Sequence, residues 1–396
     1  MAYKHGAYGV TGSPLADNVV NNETIIVCIV TTTSNNLASG DFDVCLSLAD
    51  YKTKFGWTGK VLTGTQYAYT YTGDMCAEYL FETCGLNKVV FFTAGQDFTD
   101  VDEIVDETTR STNFLADLYT EKHLIADFVL MPENDTTDSS ANADIISAVS
   151  NFAGSWNALF LQEMALTGTP TVVSSVVSAK PTPSAKMAAF YGGISEAGDS
   201  LGAGVKIPAA LIYAGLQAKL DAENNSIPFE IASNKKTENA VSLWPKNWDR
   251  VEGNAMNENG INCLIYNEGL RTWGGYLSTY NQTSVQPDEI FISTQRMLEY
   301  IKRQFIKKNA EKIDSGFTRQ KKDAILVSTQ ADLDVLVSRG ALMGSPTVSF
   351  IESENSTNDI MQGQFVFTSQ ATPSVPMVSA TLKISYTDSG FSVLFE

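Results

Sequence analysis

One apolar run near the start of the chain constrains the fold more than any other feature. The segment ETIIVCIVTTT (23–33) is rich in β-branched residues and bounded by polar ones. Such a run predicts a strand that is buried on both faces, as in a sheet covered by helices. The segments that follow alternate between strand and helix patterns, so the sequence predicts a layered α/β domain.

The alternation continues for about 180 residues. Further strands are predicted in KVVFFTAG (88–95), LIADFVLMP (124–132), TPTVVSSVVS (169–178) and GINCLIY (260–266). Helices are predicted in SLADYKTKFG (47–56), TDVDEIVDETTRSTNFLADLYT (99–120, with Thr99 as its cap), ANADIISAVSNFAGSWN (141–157) and PSAKMAAFYGGISEAGDSLG (183–202).

The last 110 residues have a different pattern. A helix of about six turns is predicted over 294–316, ended by Gly316, and a second helix ends at Gly340. Short strands are predicted to follow in PTVSFIES (346–353), GQFVFTSQ (363–370), ATLKISYT (380–387) and GFSVLFE (390–396). This order predicts a smaller α+β domain.

Composition limits the classes of function. Hydrophobic residues make up 43% of the 396 residues, which indicates a globular chain. No run approaches 18 consecutive apolar residues, so no membrane span is predicted. The first residues lack the layout of a signal peptide, so we expect synthesis in a cytoplasm. The five cysteines have no metal-binding spacing and are predicted to be buried free thiols. A net charge of −18 argues against nucleic acid as a partner.

Positive charge is concentrated in the predicted helix over 294–316. Arg296, Arg303 and Lys307 share one helical face, which is the pattern of a docking surface for an acidic partner or of an ordinary solvated helix. The candidate contact residues are Arg296, Lys302, Arg303, Lys307, Lys308 and Lys312.

Motifs for catalysis are weak. GDSLG (198–202) matches the nucleophile elbow of α/β-hydrolases, but the general base should follow Ser200, whereas His5 and His123 both precede it. The acidic stretch DFTDVDEIVDE (97–107) lacks the glycine and final glutamate of a calcium loop. No phosphate-binding loop or zinc spacing occurs, so no catalytic, cofactor or metal residues are predicted.

Both ends of the sequence suggest strands without partners. Leu382, Ile384 and Tyr386 alternate on one face, and Phe391, Val393 and Phe395 do so in the final run. These two runs predict either a hairpin closed by Asp388-Ser389-Gly390 or a strand donated to another subunit. An extended N-terminal arm of about 17 residues would reach about 55 Å.

Four blocks together resemble contractile tail sheath proteins of the P2-like phage and R-type tailocin branch, the last of them ATLKISYTDSGF (380–391), which is similar to the family's closing strand. The first is KHGAYGV (4–10), similar to the family's opening His-Gly pair. The second is GINCLIYNEGLRTWGGY (260–276), similar to its Gly-Ile-Asn…Gly…Arg-x-Trp-Gly block, although Gly275 stands where a polar residue is common. The third, from Gly340 to Gly363, resembles its Gly-Ala-Leu…Asn-x-x-x-Asp-Ile-x-x-Gly passage.

The resemblance implies an architecture. It divides the chain into an N-terminal arm (1–20), an outer α/β domain (21–280), an inner α+β domain facing the tail tube (281–388) and a C-terminal arm (389–396). The arms would add strands to neighbouring subunits. The arm residues predicted to make these contacts are Tyr3, His5, Tyr8, Val10, Phe391, Val393 and Phe395.

The resemblance also implies a function without an enzyme or cofactor. The chain would polymerise helically around a tail tube and contract to drive that tube through a cell envelope. Its partners would be other copies, the tube protein, and baseplate and tail terminator proteins, with no nucleic acid and no direct membrane insertion. It would be part of a virion tail or tailocin particle assembled in a bacterial cytoplasm. The alternatives are an α/β hydrolase using Ser200 and a non-contractile virion or secretion-system structural protein.

Overall fold

The computed structural model describes residues 23–33, 37–63, 66–98, 101–132, 139–150, 152, 156–164, 169–196, 205–237, 240–281 and 286–395. The strands within these residues are β1 (Ile26–Val30), β2 (Phe42–Cys45), β3 (Lys60–Thr63), β4 (Gln66–Tyr69), β5 (Val89–Thr93), β6 (Phe128–Leu130), β7 (Leu159–Glu163), β8 (Met187–Tyr191), β9 (Gly193–Glu196), β10 (Lys206–Pro208), β11 (Ala240–Trp244), β12 (Ile261–Tyr266), β13 (Leu270–Trp273), β14 (Leu342–Ser349) and β15 (Thr368–Pro373).

The α-helices in the same part of the chain are α1 (Leu48–Phe55), α2 (Thr72–Glu78), α3 (Asp102–Val105), α4 (Glu107–Arg110), α5 (Phe114–Lys122), α6 (Ser139–Ser150), α7 (Val173–Ser178), α8 (Ala209–Glu223), α9 (Arg250–Asn257), α10 (Ile292–Asn309), α11 (Arg319–Ser338) and α12 (Thr357–Met361). A π-helical turn, Tyr79–Thr83, continues α2. Short 3-10 turns occur at Pro287–Glu289, Ala310–Lys312, Glu352–Glu354 and Ser389–Phe395.

A single mixed sheet organises the larger part of the molecule. Its strand order is β13-β12-β8-β7-β6-β1-β5-β2. The six inner strands are parallel, whereas β13 and β2 at the two edges are antiparallel to their neighbours. Parallel neighbours need crossover connections, and the crossovers place helices on both faces of the sheet. The predicted α/β layered fold is therefore confirmed.

Strand β1 shows how the sheet divides the interior into two cores. Ile26, Cys28 and Val30 pack on the face covered by α8, while Val27 and Ile29 pack on the face covered by α5 and α6. All five residues are fully buried. The strand therefore reads as a continuous apolar run because neither of its faces meets solvent.

Two predictions in the larger domain are wrong because tertiary position overrides local pattern. The strand predicted over 169–178 is instead helix α7, since β6 and β8 already occupy both edges of β7 and the chain must cross over between β7 and β8. The helix predicted over 183–202 is instead β8 and β9. Strand β8 is buried on both faces in mid-sheet, where the packing of neighbours decides the structure.

The helix predicted over 99–120 is broken into α3, α4 and α5. Asp106 has an extended backbone with ψ of 111°, and Ser111 has a positive φ of 70°, so neither continues a helix. Thr99, the predicted cap, lies outside the described residues. The cap of α5 is Asn113, whose side chain accepts a hydrogen bond of 2.9 Å from the backbone N–H of Leu115.

The C-terminal part has its own small core. Met297 of α10, Leu333 and Leu336 of α11, and Leu342 of β14 pack together with Ile227 from the connection after α8. Ile292, at the start of α10, instead belongs to the core of the large sheet. Helix α10 thus joins the two cores, and the predicted division of the chain at residue 281 stays a prediction.

The two strands predicted last are not formed in the single chain. Residues 374–388 contain neither helix nor strand, and Ser389–Phe395 forms a 3-10 turn. The sheet of this part is the antiparallel pair β14-β15 alone. A two-stranded sheet has only marginal stability by itself. The tail does not pair with either edge of this sheet in the structure.

Candidate assembly interface

Two of the six cations predicted to face an acidic partner point into the subunit. Arg296 is 7% exposed, and its guanidinium Nη2 donates to the Asp221 carboxylate at 2.6 Å. Its guanidinium also lies 4.5 Å from the centre of the Phe128 ring. Burial alone would lower the pKa of Arg296, but the Asp221 carboxylate outweighs that effect and raises it.

The second cation that points into the subunit is Arg303. It connects α10 to the end of the sheet at which the parallel strands β6 and β7 begin. It donates to Asp127 Oδ1, to the Ala126 carbonyl and to the Asn157 carbonyl, each at 2.8 Å. Glu299 approaches the same guanidinium at 3.3 Å and also accepts a hydrogen bond from the Asn157 backbone N–H. The basic face of α10 is therefore partly an internal contact between the two cores.

The other four predicted cations remain accessible. Lys302 pairs with Glu299 at 2.7 Å, and Lys308 pairs with Asp332 of α11 at 2.7 Å. Lys307 is exposed, and Lys312 donates to the Asn309 side chain at 2.7 Å. Lys302 is 41% exposed although its partner Glu299 is mostly buried, whereas both members of the Lys308–Asp332 pair are exposed and interact weakly. Of the six predicted contact residues, four lysines are therefore accessible to a partner in the single chain.

The hairpin of β14 and β15 is irregular and open. Its register shifts between Met343 and Thr347, where Gly344 has a φ of 71° and Pro346 removes a ladder donor. A groove of about 720 Å³ lies between the hairpin and α10, with Leu298, Phe305 and Val348 among its lining residues. Neither strand has another sheet partner among the described residues.

The tail after Ser374 leaves the hairpin with its apolar side chains uncovered. The backbone N–H of Ser374 donates to the Ala341 carbonyl at 3.0 Å, which fixes the start of the tail. Leu382, Ile384 and Tyr386 are 80%, 83% and 84% exposed. Large apolar side chains at strand spacing are rarely left in solvent unless a partner covers them.

Of the predicted arm residues, Phe391 and Val393 are exposed and lie in the terminal 3-10 turn. The side chain of Phe395 and residues Tyr3, His5, Tyr8 and Val10 lie outside the described part of the structure. Their contacts with neighbouring subunits therefore stay predictions.

Exposed apolar side chains are unevenly distributed. Among the described residues, seven large ones precede residue 290 and eighteen follow it. Helix α11 illustrates what sequence reasoning missed, since Val327 and Val335 are exposed opposite its buried stripe of Ile325, Thr329 and Leu333. The available signal was their spacing, which puts them off that stripe. The C-terminal part is therefore the main candidate interface.

The Gly-Ile-Asn and Arg-x-Trp-Gly residues have structural roles. The Asn262 side chain donates to the carbonyls of Ala189 and Tyr276 and accepts from the Tyr276 backbone N–H at 2.8 Å. Gly274 has a φ of 107°, and a Cβ there would lie 2.6 Å from the Asn262 side-chain oxygen. These residues hold the turn after β13 against the middle of β8.

The weak catalytic motif receives no support. Ser200 and the rest of GDSLG lie outside the described residues, and His123 ends α5 in a left-handed conformation. Among the residues that the structure covers, no group of three or more His, Cys, Asp or Glu side chains is arranged to hold a metal ion. No helix in the described ranges is long and apolar enough to cross a membrane. All five cysteines are buried and none forms a disulfide bond, as predicted.

The chain is similar in sequence to a phage tail sheath protein and in structure to chains of contractile injection systems. The chain is 25% identical over 195 residues to the major tail sheath protein of Serratia phage KSP20. That alignment covers 48% of this chain and 47% of the relative, so the match spans about half the length of the curated relative. No family model matches the sequence.

Chains from two solved structures are similar to this protein over nearly its full length. A chain of the anti-feeding prophage baseplate matches with a TM-score of 0.70 and 17% identity, over 98% of this chain and 100% of that one. A chain of the sheath complex of the extracellular contractile injection system PVC, in its contracted state, matches with a TM-score of 0.71 and 14% identity, over 98% and 99%. This protein therefore has the fold of contractile injection-system sheath proteins, as its motifs predicted. By their names, these relatives are structural proteins and not enzymes.

Proposed function

We propose that the protein is the structural subunit of a contractile sheath. Copies would polymerise helically around a tail tube, and contraction of the polymer would drive the tube through the envelope of a target cell. The observation that carries the proposal is the exposed apolar tail, at strand spacing, beside a sheet of only two strands. The sheath names of the relatives support the same assignment.

Assembly would proceed by completing the small sheet. Neither edge of the β14-β15 hairpin pairs with a further strand among the described residues, and an extended segment from another copy can pair with such an edge. The tail residues Leu382, Ile384 and Tyr386 would then leave solvent as the strand forms. Phe391, Val393 and Phe395, with Tyr3, His5, Tyr8 and Val10 of the other arm, are the further proposed contacts between subunits.

The inner domain, residues 281–388, would face the tube. Residues 291–396 contain 11 Lys or Arg and 11 Asp or Glu, so the whole net charge of −18 lies in residues 1–290. Lys302, Lys307, Lys308 and Lys312 are the proposed contacts with an acidic tube surface, because they are accessible whereas Arg296 and Arg303 are engaged inside the subunit. Complementary charge would orient the subunit more than it would add affinity.

The remaining partners follow from this assignment. Baseplate and tail terminator proteins would contact the two ends of the polymer. The particle would be a virion tail or tailocin assembled in a bacterial cytoplasm. Contraction needs no nucleotide if free energy is stored in a metastable extended polymer.

Electron microscopy of the purified protein tests the proposal. We expect striated tubes or helical polymers, formed with or without added tube protein. A discrete oligomer that never elongates, under conditions in which the subunit is folded, would contradict the assignment.

A further inference from the structure

A second groove runs between α10 and α11 and has no occupant among the described residues. It encloses about 590 Å³. Its apolar lining comes from Ile227, Tyr300, Ile301, Phe305, Leu333 and Leu336. Ile227, Leu333 and Leu336 also belong to the small C-terminal core, so the groove opens directly onto that core. Ile227, Leu333 and Leu336 are themselves buried, whereas Tyr300, Ile301 and Phe305 are half-buried and would be covered by a segment lying in the groove.

The described chain begins beside this groove. Glu23 lines a small cavity together with Tyr300, Gln304 and Lys307, and the last three residues also line the groove. Burial chiefly raises the pKa of Tyr300, and the charge of Glu23 adds to that effect, which agrees with their proximity. The residues that immediately precede Glu23 must therefore start near one mouth of the groove.

We propose that the root of the N-terminal arm, residues 15–22, occupies the groove of its own subunit. The segment LADNVVNN carries three large apolar side chains, those of Leu15, Val19 and Val20. Val20 is three residues from Glu23, within about 10 Å, and Leu15 is eight residues away, within about 26 Å. The 18 residues of α10 extend about 27 Å, so the segment matches the helix in length.

Charge at the rim fits the same occupant. Lys307, Arg339 and Lys308 lie along the groove, and within the described part of the chain only Lys308 pairs with a carboxylate, that of Asp332. The segment brings Asp17, and Glu23 already stands at the mouth. Docking would leave residues 1–14 free to extend about 46 Å toward another subunit, shorter than the full arm. The groove would thus set where the arm departs from its own subunit.

Hydrogen exchange of the dilute, unassembled full chain tests this inference. Val19→Asp combined with Val20→Asp should speed exchange of the α11 amides over 325–336 by tenfold or more, because charged side chains cannot fill the apolar groove. The matched control is Ala7→Asp, in the same arm but outside the proposed segment, and it should leave that exchange unchanged. Unaltered exchange in the double variant would overturn the inference.

A cross-link decides whose arm fills the groove. Val20→Cys with Val335→Cys, at the groove lining, should form a disulfide within one chain, since the native cysteines are buried. Only interchain dimers, or protection of α11 that disappears on dilution, would show that a second copy supplies the segment and would overturn the inference. Both tests use unassembled protein, so their outcome is separate from whether the chain forms a sheath.

Discussion

Arg303 and Asp127 are 176 positions apart in the chain, yet their side chains meet at 2.8 Å. The pair fixes α10 against the start of β6, and the two carbonyls that Arg303 also binds belong to the same edge of the sheet. A residue whose sequence position indicates a surface helix is therefore a connection between the two cores.

Removal of this cation should destabilise the subunit. Arg303→Met leaves Asp127 and two carbonyls without their donor in a mostly buried site, which costs about 3–5 kcal/mol. Lys308→Met, on the same helix but in an exposed pair with Asp332, should cost about 0–1 kcal/mol. Urea denaturation of the two variants measures the difference. Equal loss of stability in both would show that the Arg303 contacts contribute little.

Charge reversal at the accessible lysines should impair assembly on the tube and spare folding. Lys302→Glu, Lys307→Glu and Lys308→Glu together should reduce tube-templated polymer strongly, because like charges would then face an acidic surface. The control reverses the same number of charges at Lys52, Lys235 and Lys236, which are exposed elsewhere. Sedimentation of polymer with tube protein, alongside melting curves, separates the two effects. A parallel decrease in melting temperature and assembly would instead indicate a structural role.

Polar replacement of the tail should abolish polymerisation without unfolding the subunit. Leu382→Ser, Ile384→Ser and Tyr386→Ser remove apolar groups that are at least 80% exposed in the single chain, so stability should change by at most about 0.5 kcal/mol. Val251→Ser, at an exposed site on α9, is the control and should leave polymers intact. Deletion of 389–396 should act like the tail variant. Full-length polymers from either tail variant would exclude strand donation by that segment.

The buried carboxyl of Glu163 should make stability depend on pH. Burial raises its pKa well above 4.5, despite the hydrogen bond that its Oε2 accepts from the Ala210 backbone N–H at 2.9 Å. Above 4.5 the unfolded chain releases a proton that the folded chain keeps. Stability therefore falls with rising pH, by about 1.4 kcal/mol per pH unit at most, until the folded pKa is reached.

The variant Glu163→Gln keeps an acceptor for Ala210 and removes the titration. Its melting temperature relative to the unmodified protein should rise as the pH is raised from 5 toward the pKa of Glu163 in the folded chain. Parallel melting curves across that range would mean that Glu163 titrates normally in the folded chain.

Substitution of two glycines should separate the stability cost of backbone strain from the cost of steric crowding. Gly274 and Gly340 both have positive φ, 107° and 76°, but only at Gly274 would a Cβ meet neighbours, at 2.6 Å. Gly340→Ala should cost about 1 kcal/mol from strain alone, whereas Gly274→Ala should cost about 2–5 kcal/mol because overpacking is added. Differential scanning calorimetry of the two variants compares them directly. A cost at Gly340 as large as that at Gly274 would contradict the crowding of the Asn262 turn.

The amino-acid sequence by itself determined the layered α/β plan, because runs such as IVCIV (26–30) and VVFFT (89–93) cannot be satisfied except between two apolar layers. It also marked the C-terminal helices and the uncovered apolar tail. It did not reveal helix α8, which is buried on nearly every side and so has no amphipathic period.

Only the tertiary structure decided which strand pattern became a strand and which cation met solvent. Val173–Ser178 became a helix because both neighbours of β7 were already in place. Arg296 and Arg303 point inward because they pair with Asp221 and Asp127. Those two carboxylates come from distant parts of the chain, so no local spacing in the sequence could predict the pairs. Helical periodicity places a side chain on a face, but the packing of distant elements determines whether that face meets water or the protein interior.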